Sequence, residues 1–231
     1  MKLSIIIPTY NERDTILKIL EKVYNVNINM EKEIVIVDDC STDGTRDILK
    51  KSNIKDIKVF YHNKNKGKCD AIKTGLKHAS GDLIIIQDAD LEYDPEDYKK
   101  LLNPILNNEA DVVYGSRFLN RPYKSFKKYK SFILSHYLGN KLLTLLTSLL
   151  YGYKITDMET CYKLFKKEII KNIKLESKKF GFEPEITAKV LKKYEIKEVP
   201  INFYPRNFEH GKKITWRDGL KAFYYLVKYR L

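Results

Sequence analysis

DLIIIQDADLEYDPED, residues Asp82 to Asp97, changes character halfway along. Leu83 to Ile86 are apolar without a break, and after Gln87 come Asp88, Asp90, Glu92, Asp94, Glu96 and Asp97. A short run that is apolar at odd and even positions alike is a strand buried on both faces. Strands of that kind belong to parallel sheets covered by helices. Ligands of open parallel sheets bind beyond the carboxyl ends of the strands, and the acids stand at such an end.

The rest of the first half repeats the pattern. Leu3–Ile7, Glu33–Val37, Ile57–Tyr61 and Asp111–Gly115 are further strand-like runs. Helical spacing is predicted over Glu12–Asn25, Asp43–Lys51, Lys68–Ala79 and Pro95–Asn107. The alternation predicts an α/β fold, a mostly parallel sheet with helices on both faces. No repeat or low-complexity linker interrupts it, so 1–231 is expected to be one domain in two halves, 1–118 and 119–231.

The second half departs from this rhythm. Arg121, Lys124, Lys127, Lys128 and Lys130 form a basic stretch without an acid. Ser131–Tyr151 is leucine-rich and amphipathic on a helical wheel. Leu134, Leu138, Leu142, Leu145, Leu146 and Leu149 share a face with Phe132, Leu143 and Leu150. His136, Asn140, Lys141, Thr144, Thr147 and Ser148 lie opposite; Ile133 and Tyr137 break the pattern. TDMETCYKLF (Thr156–Phe165) follows, then a helix near Glu183–Tyr194, a strand near Lys197–Phe203 and an aromatic, basic helix from about Trp216.

Composition narrows the classes. With 43% apolar residues the chain can build a packed core. The net charge of +13 points to an anionic partner: nucleotide, phosphate, nucleic acid or membrane surface. No nucleic-acid reader motif accompanies the lysines, so nucleic acid is not the expected partner. Cys40, Cys69 and Cys161 form no CxxC pair, and the histidines are scattered, which argues against a disulfide framework or a zinc site. No signal-peptide pattern and no membrane span of about 18 apolar residues is evident. A cytoplasmic location is expected, with any membrane attachment peripheral.

Asp88, Asp90 and Glu92 alternate, so in extended chain they would point the same way. Oxygen ligands of this type suit Mg²⁺ or Mn²⁺ completed by water and substrate phosphates. Asp94, Glu96 and Asp97 have a plainer role: DPED, with Pro95 as first helical residue, is a helix N-terminus. The first strand ends in PTYNE (Pro8–Glu12) and the second in VDDCSTDGT (Val37–Thr45), where Ser41, Thr42 and Asp43 are good cap residues. These turns bring Tyr10, Glu12, Asp38 and Asp39 to the same sheet edge as Asp88. Carboxylates to accept from base or ribose, an aromatic to stack and a metal for diphosphate make a nucleotide-diphosphate site.

PTYNE, VDDCSTDGT, NKGKCDAIKTGL, DADLE and YGSRF, in this order, resemble family 2 glycosyltransferases of the GT-A fold, and among these the dolichol- and polyprenyl-phosphate sugar synthases. The resemblance covers nearly the whole chain. It implies that Pro8, Tyr10, Glu12, Val37 and Asp39 hold the nucleoside of a nucleotide sugar. It implies that Asp88, Ala89 and Asp90 approach the donor, and that Asp90 with position 92 coordinates metal. Those synthases carry Gln at the last position, whereas this chain has Glu92. Arg117 is implied to meet phosphate or sugar, and Lys68 to help position the donor. PRNFEHGKKI (Pro205–Ile214) resembles the basic loop over the donor diphosphate, with Arg206 and Lys212 foremost and Lys213 and His210 beside them. Asp157 stands in the acidic motif on the acceptor side. Against these roles stand plainer ones: Arg117 and the basic loop as solvated surface, and Thr156 or Asp157 as a helix cap. By the same resemblance, residues 1–118 bind the nucleotide sugar and 119–231 the acceptor.

The implied reaction moves a hexose from GDP-mannose or UDP-glucose to a polyprenyl or dolichyl phosphate, with inversion. A phosphate acceptor, with a second pKa of about 6, is already largely dianionic and needs no strong base. A glycan hydroxyl, the alternative acceptor, needs one, and Asp157 or an acid of the DxD group is the candidate. The leucine face behind a lysine cluster is expected to dock on anionic lipid at the inner face of the cell membrane. The competing expectation is that these leucines pack on the sheet or on a second subunit. A non-catalytic nucleotide-sugar-binding protein is the remaining alternative.

Overall fold

The computed structural model describes residues 1–52, 57–119, 134–177, 181–206 and 216–231. Seven strands form one sheet: β1 (Lys2–Thr9), β2 (Glu31–Asp38), β3 (Ile57–Tyr61), β4 (Leu83–Ile86), β5 (Val112–Ser116), β6 (Lys163–Lys166) and β7 (Lys197–Pro200). Their order is β3-β2-β1-β4-β6-β5-β7. β1 pairs in parallel with β2 and β4, β2 with β3, and β5 with β7. Only β6 runs antiparallel, between β4 and β5. The helices are α1 (Ile16–Asn25), α2 (Thr45–Lys51), α3 (Lys68–His78), α4 (Tyr98–Leu106), α5 (Leu134–Tyr151), α6 (Lys167–Lys171), α7 (Phe182–Leu191) and α8 (Trp216–Arg230). A 3₁₀ turn at Pro95–Asp97 leads into α4, and Asp94 accepts the Glu96 N–H at 3.3 Å, the predicted N-terminal signal.

In β1, Leu3, Ile5 and Ile7 point one way and Ser4 and Ile6 the other, yet all five are fully buried. The sheet is therefore covered on both sides, which is why its central strands lack a polar face. α3 lies so close to β1 that a Cβ on Gly75 would overlap the Ile6 side chain. The mostly parallel sheet is the expected one, with one addition. β6 was not predicted, because a buried lysine sits at the head of its four residues. The Lys163 ammonium donates to the carbonyls of Met158 (2.9 Å) and Thr160 and lies 4.4 Å from the Tyr114 ring centroid. Those partners let a cation occupy a core strand.

At the amino end of the sheet, away from the acidic edge, the buried Glu33 carboxylate ties three elements together. It accepts from Ser4 Oγ, from the Ser80 N–H and hydroxyl (2.5 and 2.8 Å), from the Gly81 N–H (3.1 Å) and from Lys58 Nζ (2.9 Å). Burial alone would raise its pKa, but the donors from Ser4, Ser80 and Lys58 outweigh it and hold the carboxyl well below the ordinary range.

Glu33→Gln is therefore expected to lower the unfolding free energy at neutral pH by about 2 kcal/mol, the scale of charge-assisted hydrogen bonds. A depressed folded-state pKa stabilises above the unfolded-state value and loses that stabilisation as pH falls through the folded one. The gap between wild type and variant should thus be full above about pH 5 and narrow progressively below the ordinary glutamate value of about 4.3. Urea titrations across that range check both statements.

Candidate active site

The carboxyl ends of β1 and β2 are stitched to each other by loop hydrogen bonds. Asp39 N–H donates to Thr9 O (2.8 Å), Asn11 N–H to Ser41 Oγ (3.0 Å), Thr42 N–H to Asn11 Oδ1 (2.9 Å) and Glu12 N–H to Thr45 Oγ1 (2.9 Å). Asn11 and Cys40 take positive φ at 55° and 65°, a left-handed turn at each strand end. Pro8, Tyr10 and Glu12 stay partly open on this edge, while Val37 is fully buried and offers only its backbone. Asp38 is a strut: Arg46 Nε donates to it at 2.8 Å, and Arg46 Nη2 reaches His62 O at 2.6 Å. Asp39 organises the turn before α3, accepting from Lys66 N–H (2.9 Å), Gly67 N–H (2.6 Å) and the His62 Nδ1 side (2.7 Å). His62 and Thr74, joined at 2.9 Å through Nε2, extend this support.

The acidic stretch after β4 does not run on as extended chain. It turns at Ala89–Asp90, and Leu91 has φ 63°. Period-two alternation fails there, and Asp88 parts from Asp90 and Glu92. Asp88 pairs with Lys68 at 2.8 Å, and Lys68 also holds Glu183 Oε1 at 2.8 Å. Asp90 accepts from the Glu92 N–H (3.0 Å) and from Arg206 Nη2 (2.9 Å). Glu92 accepts the Arg206 backbone N–H at 2.8 Å. Buried Gln87 fixes the root of the turn: its Oε1 accepts from the hydroxyls of Tyr98 (2.6 Å) and Tyr162 (2.7 Å), and its Nε2 donates to Asp88 O (2.9 Å).

The electrostatics follow these partners. Burial works to raise the Asp88 pKa, but the Lys68 ammonium outweighs it and holds it below the ordinary value. Asp90 is pushed up to about 7, first by burial and then by the charges of Asp88 and Glu92. The Cys161 thiol is raised well above its usual value by burial and by Asp88, so it is no nucleophile. Hard oxygen donors under mutual repulsion suit Mg²⁺ or Mn²⁺, and such ions take one or two protein carboxylates when phosphates complete the shell. Asp90 and Glu92 fit that requirement. The expected third ligand, Asp88, is turned to Lys68, and among the described residues no three His, Cys, Asp or Glu side chains gather into a metal site.

Across the sheet, at the end of β5, Arg117 and Asp157 form a buried bidentate pair. Arg117 donates from Nε (2.7 Å), Nη2 (2.8 Å) and the backbone N–H (3.0 Å), and Asn140 of α5 adds a fourth donor at 3.0 Å. Burial opposes ionisation of Asp157, but Arg117 prevails and keeps its pKa low. A carboxylate so saturated and held at low pKa orients Arg117, an arrangement that disfavours the base role considered for a hydroxyl acceptor. The guanidinium lies 5.1 Å from the Phe203 ring centroid. Of the other expected residues, Ala89 is buried in the acidic turn. Lys212, Lys213 and His210 lie outside the described residues, as do the basic stretch 121–130 and the start of the leucine-rich one.

Sequence reasoning missed Glu183, His62, Gln87 and the half-buried Glu159, whose carboxyl is raised to about 7 by desolvation and then by Glu183. None of them has a local signal. Glu183 meets Lys68 across 115 residues of chain, and His62 meets Asp39 across 23.

Residues 4–174 match the family model described as Glycosyl transferase family 2. The chain is 30% identical to a UDP-N-acetylglucosamine–dolichyl-phosphate N-acetylglucosaminyltransferase of Methanococcus voltae, over 98% of this chain and 95% of that one. It is 32% identical to a dolichol-phosphate mannosyltransferase of Pyrococcus furiosus, over 99% of this chain and 64% of that one. Its backbone matches glucosyl-3-phosphoglycerate synthase of Mycobacterium tuberculosis, crystallised with Mg²⁺ and uridine diphosphate. The TM-score is 0.74 at 16% identity, over 99% of this chain and 79% of that one. The GT-A architecture expected from the motifs is thus the one found.

Removing one partner of the Arg117–Asp157 pair leaves a buried charge, so Asp157→Ala should cost about 3–5 kcal/mol of stability. Arg117→Met combined with Asp157→Ala should cost clearly less than the two single changes added together. A double-mutant cycle by urea unfolding measures the difference.

Proposed function

Because this chain belongs to glycosyl transferase family 2, we propose that it transfers a sugar residue from a nucleotide sugar to a polyprenyl or dolichyl phosphate at a membrane surface. The observation that carries the acceptor is the orientation of α5. The outer part of its leucine face is open, with Leu138, Leu142, Leu145 and Leu149 55%, 68%, 56% and 73% exposed, while Leu143, Leu146 and Leu150 pack half-buried beside it. Its polar face is inside: Asn140, Thr144 and Thr147 are buried. Asn140 reaches Asp157, Thr144 Oγ1 accepts the Met158 N–H at 3.2 Å, and Lys141 Nζ donates to Thr156 O at 3.3 Å. α8, packed on α5, adds exposed Leu220, Phe223 and Tyr224. Soluble surfaces rarely display such a stripe, and a lipid interface would cover it. No described helix is long and apolar enough to cross a membrane; the attachment proposed is through this exposed stripe, on the cytoplasmic side. The names of the two relatives, each a transferase to a dolichol-linked phosphate, support the same acceptor class.

In this reading the acceptor phosphate oxygen attacks the anomeric carbon while the bond to the nucleoside diphosphate breaks, a single displacement with inversion. The phosphate brings its own negative charge and needs no base, which agrees with Asp157 being committed to Arg117. Glu12, Tyr10 and the Asp39-supported turn hold the nucleoside; Arg206, with Lys212 beyond the described residues, meets the diphosphate. Asp90 and Glu92 would hold Mg²⁺ or Mn²⁺, which when bound would neutralise charge on the leaving diphosphate. GDP-mannose and UDP-linked sugars are the candidate donors.

The test is a donor panel with a polyprenyl phosphate in anionic vesicles, following glycolipid and released nucleotide. No transfer to lipid phosphate, with transfer to a soluble hydroxyl instead, would sink the acceptor assignment. Leu142→Ser with Leu149→Ser should keep the melting temperature within a few degrees while weakening vesicle binding about tenfold or more. Transfer to the long-chain acceptor should fall with it. Unfolding of that variant would show the leucines to be core.

A further inference from the structure

One side chain and its own backbone occupy three of the donor-site carboxylates, Glu12, Asp90 and Glu92. Arg206 Nη1 and Nη2 donate to Glu12 Oε2 and Oε1 at 2.9 and 3.1 Å, and Nη2 also donates to Asp90 Oδ2 at 2.9 Å. The Arg206 N–H donates to Glu92 Oε1 at 2.8 Å. The guanidinium thus spans the ends of β1 and β4, and the backbone beneath it is rooted on the acidic turn. Tyr204 N–H donates to Glu92 O at 2.8 Å, and Tyr93 and Phe203 form an antiparallel bridge.

We propose that Arg206 is the resident cation of this site, neutralising Glu12 and Asp90 until a metal-bound diphosphate replaces it, so that metal and nucleotide bind together and metal alone binds poorly. The inference rests on the donor reading above and adds an order to it. An ion taking Asp90 and Glu92 competes for carboxylates that each already accept from Arg206 through one oxygen. If the ion arrives alone, the guanidinium loses Asp90 with no second anion to replace it and is left beside a like charge. If a diphosphate arrives with the ion, the freed guanidinium gains a bidentate phosphate contact, and the exchange is favourable. Linkage requires the coupling to be mutual: the metal must raise nucleotide affinity by the same factor as nucleotide raises metal affinity. Lysine at this position would keep the charge but not the fork that reaches two carboxylates at once.

The measurement is Mn²⁺ binding to the full chain, by calorimetry or by electron paramagnetic resonance, without nucleotide. Arg206→Ala should bind Mn²⁺ about tenfold more tightly than wild type, with Arg206→Lys between them, and adding Asp90→Asn should erase the gain. GDP and UDP affinities, each taken with and without Mn²⁺, should show a coupling that shrinks in Arg206→Ala. Melting curves establish that the variants fold; should the alanine variant fail, the lysine variant carries the comparison. Equal or weaker Mn²⁺ binding in the variants, while wild type binds nucleotide in a Mn²⁺-dependent way, overturns the resident-cation role and leaves the donor reading intact. A wild type whose nucleotide binding ignores Mn²⁺, or is absent, overturns both.

Discussion

A carboxylate taken out of water needs a cation or several hydrogen-bond donors in contact with it, because its desolvation otherwise costs several kcal/mol. A parallel sheet intensifies this requirement, since it collects the carboxyl ends of successive strands along one edge. Here that edge carries Glu12, Asp38, Asp39, Asp88, Asp90 and Glu92. Each of the more buried ones is matched: Asp38 by Arg46, Asp88 by Lys68, Asp39 by two backbone amides and His62. Asp90 is the least well compensated, hemmed in by Asp88 and Glu92, and Arg206 comes to it from the far end of the chain. The surrounding architecture, from the Gln87 root to the bridge at Tyr93 and Phe203, serves to hold that charge in place.

The same requirement explains the helix that faces the wrong way. α5 would bury its leucines if apolar burial alone decided its orientation. Instead the segment Thr156–Met158, which anchors Arg117 through Asp157, presents N–H, C=O and carboxylate groups that need partners. Asn140, Lys141 and Thr144 supply them; Leu143, Leu146 and Leu150 pack at the flanks, and Leu138, Leu142, Leu145 and Leu149 are left outside. Satisfying buried polar groups outweighed covering the stripe, since exposed leucine costs less than an orphaned buried charge. The exposed stripe and the Arg117 support are therefore two faces of one helix.

Much of the fold was legible because its signals are local. Apolar runs and caps placed five strands and four helices of the first half within a few residues of where they lie, and DPED marked the start of α4. β6 was not legible, since Lys163 at its head interrupts the apolar pattern and its partners come from the turn before it. The sequence pattern also pointed to the right edge of the sheet, but it assigned side chains there by extended-chain periodicity. The left-handed Leu91 broke that periodicity.

By itself the sequence determined the order of elements in the first half, the covered parallel sheet and the acids at its strand ends, because these follow from residue periodicity and turn chemistry within a few neighbours. It also carried the family, through motifs whose order is preserved. Only the tertiary structure decided which base answers which acid. Arg206 meets Glu12 across 194 residues, and Lys68 meets Glu183 across 115. No local pattern encodes a contact between charges so far apart; it arises when the sheet brings the strand ends and the returning chain together. The direction of α5 was settled the same way, because an amphipathic wheel shows that a helix has two faces, while the groups waiting beneath it choose which face turns inward.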